Sequence, residues 1–195
     1  MPLSPPVPRE LSHTRAVQCQ GFRRTDGLWD IEGHLVDTKA YDFQTEHSPT
    51  LPAGQAVHDM WIRMTVDDDL LIHGCEAAMA ANPYPICADV TPNFQALKGI
   101  RIGKGWMNEV NERVGGTHGC THLRELLRPM ATTAYQTIYS AKMNEARAAG
   151  LGRPTPTEDP PRHLNSCHAY SEDSDVVKVA FPDYYKPPQP QRRSG

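Results

Sequence analysis

Two histidines and a cysteine lie close together in segment 115–123, which reads Gly-Gly-Thr-His-Gly-Cys-Thr-His-Leu. An imidazole with a pKa near neutrality can transfer protons, so His118 and His122 are candidate acid–base groups. Cys120 would lie in the first turn of a following helix, where a thiolate is stabilised and could bind a soft metal together with imidazole. The segment is therefore the predicted working site. The structural alternative is an N-cap at Thr117 and a small buried cysteine.

Further candidates come from the strands. His58 falls on the same strand face as Met60, at its open end, and Asp59 is beside it in the chain. Asp30 lies on the polar face of an earlier strand. The predicted acid–base set is His118, His122, His58, Asp59 and Asp30, and the alternative metal set is Cys120, His118, His122 and Cys75, with zinc or iron as the ion. A satisfied core histidine at His58 and a solvated face at Asp30 are the structural alternatives.

Hydrophobic periodicity predicts the elements that position these residues. Apolar residues alternate along 29–35 and 57–66, and strands are also predicted at 14–21, 70–79 and 176–179, with a loop at 44–54. Helices are predicted over 93–98, 106–114 and 120–149, the last with a kink or break at Pro129. Strands followed by helices indicate an α+β fold, a small antiparallel sheet covered by C-terminal helices. If the long helix packs across the apolar sheet face, His58 approaches His118 and His122.

Composition sets the predicted domain limits. The sequence has 195 residues and 18 prolines, many of them near the two ends. We predict an extended segment at 1–12, a single α+β domain at 13–180 with a proline-rich connector at 150–162, and a proline-rich tail at 181–195. The five cysteines are odd in number and irregularly spaced, which is typical of free thiols rather than of a secreted disulfide framework.

Several classes of function lack support in the sequence. A net charge of −3 argues against a nucleic-acid partner. No apolar run approaches the ~20 residues of a membrane span, and the first residues do not resemble a signal peptide, so we expect a cytoplasmic protein without a membrane partner. Phosphate-loop, dinucleotide, nucleophile-elbow and zinc-protease motifs are absent, so no nucleotide cofactor is expected.

Five segments together resemble a bacterial family of unknown function that is marked by a His-Gly-Cys-Thr-His-Leu motif. They are Trp-Asp-Ile-Glu at 29–32, Val-His-Asp-Met at 57–60, Leu-Lys-Gly-Ile-Arg-Ile-Gly at 97–103, His-Gly-Cys-Thr-His-Leu at 118–123 and Ser-Cys-His-Ala at 166–169. The resemblance covers roughly residues 10–180. It implies an association with bacteria that degrade aromatic and acyl compounds, and it brings no defined activity.

A fold-level likeness is to the U-type iron–sulfur scaffold proteins, in which a three-stranded antiparallel sheet precedes helices and a ligand pair opens the last helix. Cys75, His118 and Cys120 occupy comparable places in this sequence. Gly119 separates His118 from Cys120, and the scaffold's first cysteine has no counterpart. This likeness therefore bears on the fold rather than on the function.

The leading hypothesis is a catabolic enzyme that acts on a small organic, in particular aromatic, substrate. It would be a lyase or a related proton-transfer catalyst and would use no cofactor. The alternatives are a zinc- or iron-binding protein similar to the scaffolds, and a non-catalytic interaction domain.

Overall fold

The computed structural model describes residues 3–45, 48–151, 160–161 and 163–188. Strands come first and helices follow, which confirms the predicted α+β class. The strands are β1 (His13–Arg23), β2 (Trp29–Lys39), β3 (Phe43–Thr45), β4 (Ser48–Leu51), β5 (Ala56–Val66) and β6 (Ile72–Ala81). The α-helices are α1 (Trp106–Val114), α2 (Thr121–Ala148) and α3 (Asp175–Ala180), and 3-10 helices cover Pro85–Leu97, Gly116–His118, His168–Tyr170 and Pro182–Tyr184.

The main sheet is antiparallel, with the strand order β1-β2-β5-β6. Leu35 of β2 lies opposite Val17 of β1 and Met60 of β5. Because side chains alternate along a strand, this register places the apolar residues of β2 and β5 on one common face. Strands β3 and β4 pair separately, between β2 and β5 in the chain.

Helix α2 covers the apolar face of the main sheet. Its buried residues belong to the same core as those of the sheet, and they are Leu123, Leu126, Leu127, Met130, Ala134 and Ile138. The helix lies close to Gly33 of β2, where an added Cβ would be 2.5 Å from the sulfur of Met130. Glycine at this central strand position therefore lets the helix lie directly on the sheet.

The structure corrects four local predictions. Helix α2 runs unbroken through Pro129, so the predicted break is wrong, and a 3-10 helix over Pro85–Leu97 replaces the predicted helix over 93–98. Segment 176–179 is helical rather than a strand, because the Ser174 hydroxyl accepts the N–H of Val177 and caps α3. The predicted loop at 44–54 contains the β3–β4 pair.

The chain divides into two compact units, Met1–Ala141 and Lys142–Gly195. The first contains the sheet, α1 and most of α2. In the second, the rings of Tyr170 and Phe181 lie near His163, with centroids 4.9 and 6.2 Å from its imidazole. Residues 152–159 and 162 of the predicted connector and 189–195 of the predicted tail lie outside the described residues. The predicted domain limits stay predictions.

We expect Gly33→Val to lower the free energy of unfolding by about 1–3 kcal/mol, because the new side chain overlaps Met130 and Leu126. Gly74→Val is the matched control, since a Cβ on Gly74 meets nothing within 4 Å. Urea denaturation of both variants measures the difference. Equal stability of the two would contradict the close packing of α2 on β2.

Candidate functional site

A buried carboxylate lies at the centre of the candidate site. Asp37 continues the period-2 series of core residues on β2, and it is only 1% exposed. The register places Arg15 of β1 opposite Asp37 on one side and His58 of β5 on the other. Three neighbouring strands thus bring a guanidinium, a carboxylate and an imidazole to one end of the apolar sheet face.

Arg15 holds both oxygens of this carboxylate. Its Nε donates to Oδ1 of Asp37 and its Nη2 to Oδ2, each at 2.8 Å. The remaining guanidinium nitrogen, Nη1, donates to Glu125 of α2 at 3.0 Å. His13 adds a nitrogen 3.2 Å from Oδ1 of Asp37. The two hydrogen bonds from Arg15 fix the position and direction of the Asp37 carboxylate.

Two imidazoles complete the group. The Nδ1 of His58 lies 3.0 Å from Oδ2 of Asp37. His122, the second residue of α2, places its ring centroid 3.9 Å from that of His58 and its Nε2 3.9 Å from the same Asp37 oxygen. The sulfur of Cys120 lies 3.9 Å from Nδ1 of His122. Because an ionised carboxylate only accepts hydrogen bonds, we assign the proton of neutral His58 to Nδ1.

The environment sets the charge of these groups. Burial by itself raises the pKa of Asp37, but hydrogen bonding and charge from Arg15, with the charges of His58 and His13, outweigh it and hold the pKa below its usual value. Burial lowers the pKa of His58, and the charge of His122 lowers it further. Burial and the charge of Arg15 also lower the pKa of His122. Asp37 is therefore ionised, and both imidazoles are neutral at neutral pH.

The structure brings together part of the predicted site. His58 and His122 meet as predicted, and Cys120 lies beside His122. His118 is exposed and belongs to a separate 3-10 turn, which extended backbone at Gly119 separates from α2. His118 and His122 therefore do not share one helical face, and the backbone oxygen of His118 instead accepts from the side chain of Asn93.

The predicted carboxylates lie on the other face of the sheet. Asp59 accepts from His34 at 2.8 Å and from the indole of Trp61 at 2.9 Å. Asp30 accepts from Thr65 at 2.7 Å. Asp59 is next to His58 in β5, and Asp30 is an odd number of residues from Asp37 in β2. Because side chains alternate between the two sheet faces, neither carboxylate points to the face that carries the His58 imidazole.

The metal set predicted from the sequence is not assembled. Cys75 lies opposite Met64, six residues along β5 from His58, which corresponds to roughly 20 Å along the strand. Burial raises the pKa of the Cys75 thiol to about 12. Cys75 is therefore a protonated core side chain at the other end of the sheet.

Sequence reasoning missed Asp37 as the central residue, together with Arg15, His13 and Glu125. The signal was present in the strand pattern, since Asp37 shares the parity of Trp29 and Leu35 and should have been expected in the core. The partnership with Arg15 depends on the pairing of β1 with β2, which periodicity alone does not provide.

The chain belongs to the family described as Protein of unknown function (DUF2889), which it matches over residues 13–136. The matched range includes Asp37 and the residues described around it, which are His13, Arg15, His58, His122 and Glu125. Neither the curated proteins nor the solved structures contain a match to this chain. Within the described part of the chain, no helix combines the length and apolar character that crossing a membrane requires.

We expect Arg15→Gln to lower the free energy of unfolding by about 2–4 kcal/mol, because it leaves the buried Asp37 carboxylate without its cation. This loss is smaller than the roughly 3–5 kcal/mol typical of breaking a fully buried ion pair, because the Arg15 side chain is 36% exposed. Arg63→Gln is the control, because it breaks a comparable cross-strand pair with Glu32 on the exposed face and should cost below about 1 kcal/mol. Chemical denaturation of both variants tests this, and equal losses would contradict it.

The two imidazoles predict a pH dependence of stability. Because their pKa values are lower in the folded protein than the ordinary 6.5, the unfolded chain binds more protons in weakly acidic solution. The stability they contribute is present above about pH 6.5 and is lost as the pH falls below it. His58→Gln should flatten this loss between pH 7.5 and 5, whereas His118→Gln should not. An unchanged slope for His58→Gln in urea titrations would refute the assignment.

Proposed function

We propose that the protein is an enzyme of small-molecule catabolism, a lyase or a related proton-transfer catalyst, with His58 and His122 as its working groups. The observation that carries the proposal is the contact of both imidazoles with one buried, ionised carboxylate. Such a carboxylate orients an imidazole and stabilises the charge that appears when the ring accepts a proton.

His58 is the proposed base. Its Nδ1–H points to Asp37, so the lone pair that can accept a proton is on Nε2. A proton arriving there makes an imidazolium whose charge lies next to Asp37 at 3.0 Å. Arg15 keeps Asp37 in place by its two hydrogen bonds, and in this mechanism it acts by positioning rather than by contact with the substrate.

His122 is the second proton-transfer group. Its ring lies 3.9 Å from that of His58, so one small substrate could reach both. The His58 side chain is 14% exposed and that of His122 is 26% exposed, which leaves both rings accessible from solvent. Both rings start neutral, so in an elimination one ring takes a proton from the substrate. That same proton, held on the imidazolium or passed to the other ring, then goes to the leaving group, and both rings end neutral. A small organic compound is the proposed substrate, and aromatic compounds are the first to test.

A panel of small aromatic and acyl compounds in D₂O tests this function, with NMR detection of deuterium incorporation and of elimination products. We expect the wild-type protein to accelerate at least one reaction, and His58→Gln and His122→Gln to slow it by about 10²–10⁴-fold. Loss of one positioned acid–base group has effects of this size.

His34→Gln is the matched control for this panel. The His34–Asp59 pair has a nitrogen–oxygen distance of 2.8 Å, but it lies on the opposite sheet face. We expect this variant to keep wild-type rates. A reaction that survives removal of both His58 and His122, or one that also needs His34, would exclude the proposed roles.

A further inference from the structure

We infer that Asp37, His58 and His122 form a binding site for a divalent first-row metal ion, with Zn²⁺ as the representative cation. This inference goes beyond the proposed function, because it concerns binding and holds whether or not the protein transforms a substrate. It also replaces the cysteine-containing metal set expected from the sequence by a different one.

The ligand atoms converge from three separate elements. One nitrogen from each imidazole and one carboxylate oxygen all lie within 4.8 Å of one another. The Asp37 Oδ2 is 3.0 Å from Nδ1 of His58 and 3.9 Å from Nε2 of His122. Neighbouring ligand atoms of a tetrahedral zinc ion with bonds of 2.0–2.1 Å lie roughly 3.3 Å apart. The separation between Asp37 and His58 is already close to this value, whereas the other separations, of 3.9 Å and at most 4.8 Å, would have to shorten by roughly 0.6–1.5 Å around an ion.

The chemistry of the donor set fits a catalytic type of metal site. Two imidazoles and one carboxylate suit zinc and ferrous iron, and three protein ligands leave a further position for water or a substrate. Partial exposure of His58 and His122 gives an ion and a small ligand access to that position. A fully enclosed four-ligand structural site would have neither property.

The surrounding residues orient the proposed ligands and set the charge of the site. Arg15 holds the Asp37 carboxylate through both oxygens, which fixes the direction of its remaining lone pairs. The Cys120 sulfur lies beside Nδ1 of His122, the ring nitrogen that would not bind the ion. Asp37, Glu125 and Arg15 together carry a net charge of −1, so a divalent cation is electrostatically favourable despite the nearby guanidinium.

Metal binding would change the state of His58. The ion would occupy the place of the proton between Nδ1 and Asp37, and neutral His58 would then carry its proton on Nε2. Water bound to such an ion loses a proton near neutral pH, so a loaded site would still place a base next to a substrate. The metal-free and the metal-loaded forms thus use His58 differently, as a base and as a ligand.

Zinc titration of chelator-treated full-length protein by calorimetry tests the inference, with Co²⁺ absorption as a second probe. We expect one equivalent of Zn²⁺ to bind the wild type, and Co²⁺ to give a spectrum with nitrogen and oxygen ligands. His122→Gln should weaken zinc binding by more than the roughly 10–100-fold that changes to outer-shell residues cost. This variant keeps the Arg15–Asp37–His58 hydrogen bonds, and its fold is checked by circular dichroism.

Two histidine variants are the controls. His118→Gln removes the exposed histidine nearest in sequence, and His34→Gln breaks the carboxylate–histidine pair on the other face. Both should bind zinc like the wild type. Absence of stoichiometric binding by the wild type, or wild-type affinity in His122→Gln, would overturn the metal site.

The metal test and the substrate panel fail independently. Zinc binding by a protein that processes no compound of the panel would remove the proposed enzyme function and leave the metal site. Proton transfer by chelator-treated protein that binds no zinc would do the reverse.

Discussion

The burial of one carboxylate on the apolar face of the sheet is the constraint on which the candidate site depends. A charged Asp37 at this position is costly unless cations and hydrogen-bond donors surround it. The register of the sheet supplies them, since Arg15 and His58 lie directly opposite Asp37 on the two flanking strands. Arg15 keeps the carboxylate ionised, and the ionised carboxylate in turn determines the tautomer of His58.

The helix that covers the sheet completes this arrangement. Gly33 lets α2 lie against the middle of β2, and the same helix begins at the end of the sheet where Asp37 lies. Its second residue, His122, therefore reaches His58, and Glu125 reaches the free end of the Arg15 guanidinium. The close packing in the core and the geometry of the site thus have a common origin in the position of one helix.

The sequence was sufficient to predict the α+β class, the antiparallel strands and the helix after Cys120, because the period-2 and helical patterns there are long. It also predicted the approach of His58 to His122. The alternation along β5 indicates the sheet face of His58, and the helical pattern indicates that His122 lies at the start of α2. His118 was misplaced because the spacing of four residues suggested one helix, whereas Gly119 is extended and interrupts it.

The carboxylates of the site were predicted wrongly for a different reason. Asp59 and Asp30 were assigned to the site on the basis of chemical type, although their parity places them on the opposite face of the sheet. Asp37 was overlooked as the centre although its parity places it in the core. Its partner Arg15 could not be identified, because strand order and register follow from long-range pairing that single-strand patterns do not contain.

The central claim is that an ionised Asp37 holds His58 as a neutral imidazole with its proton on Nδ1. Long-range ¹H–¹⁵N NMR of the imidazoles in chelator-treated protein at pH 7.5 tests this claim most directly. We predict a protonated Nδ1 and an unprotonated Nε2 for His58, with loss of this preference in Asp37→Asn. A His58 ring that carries its proton on Nε2, or that is doubly protonated at this pH, would contradict the account.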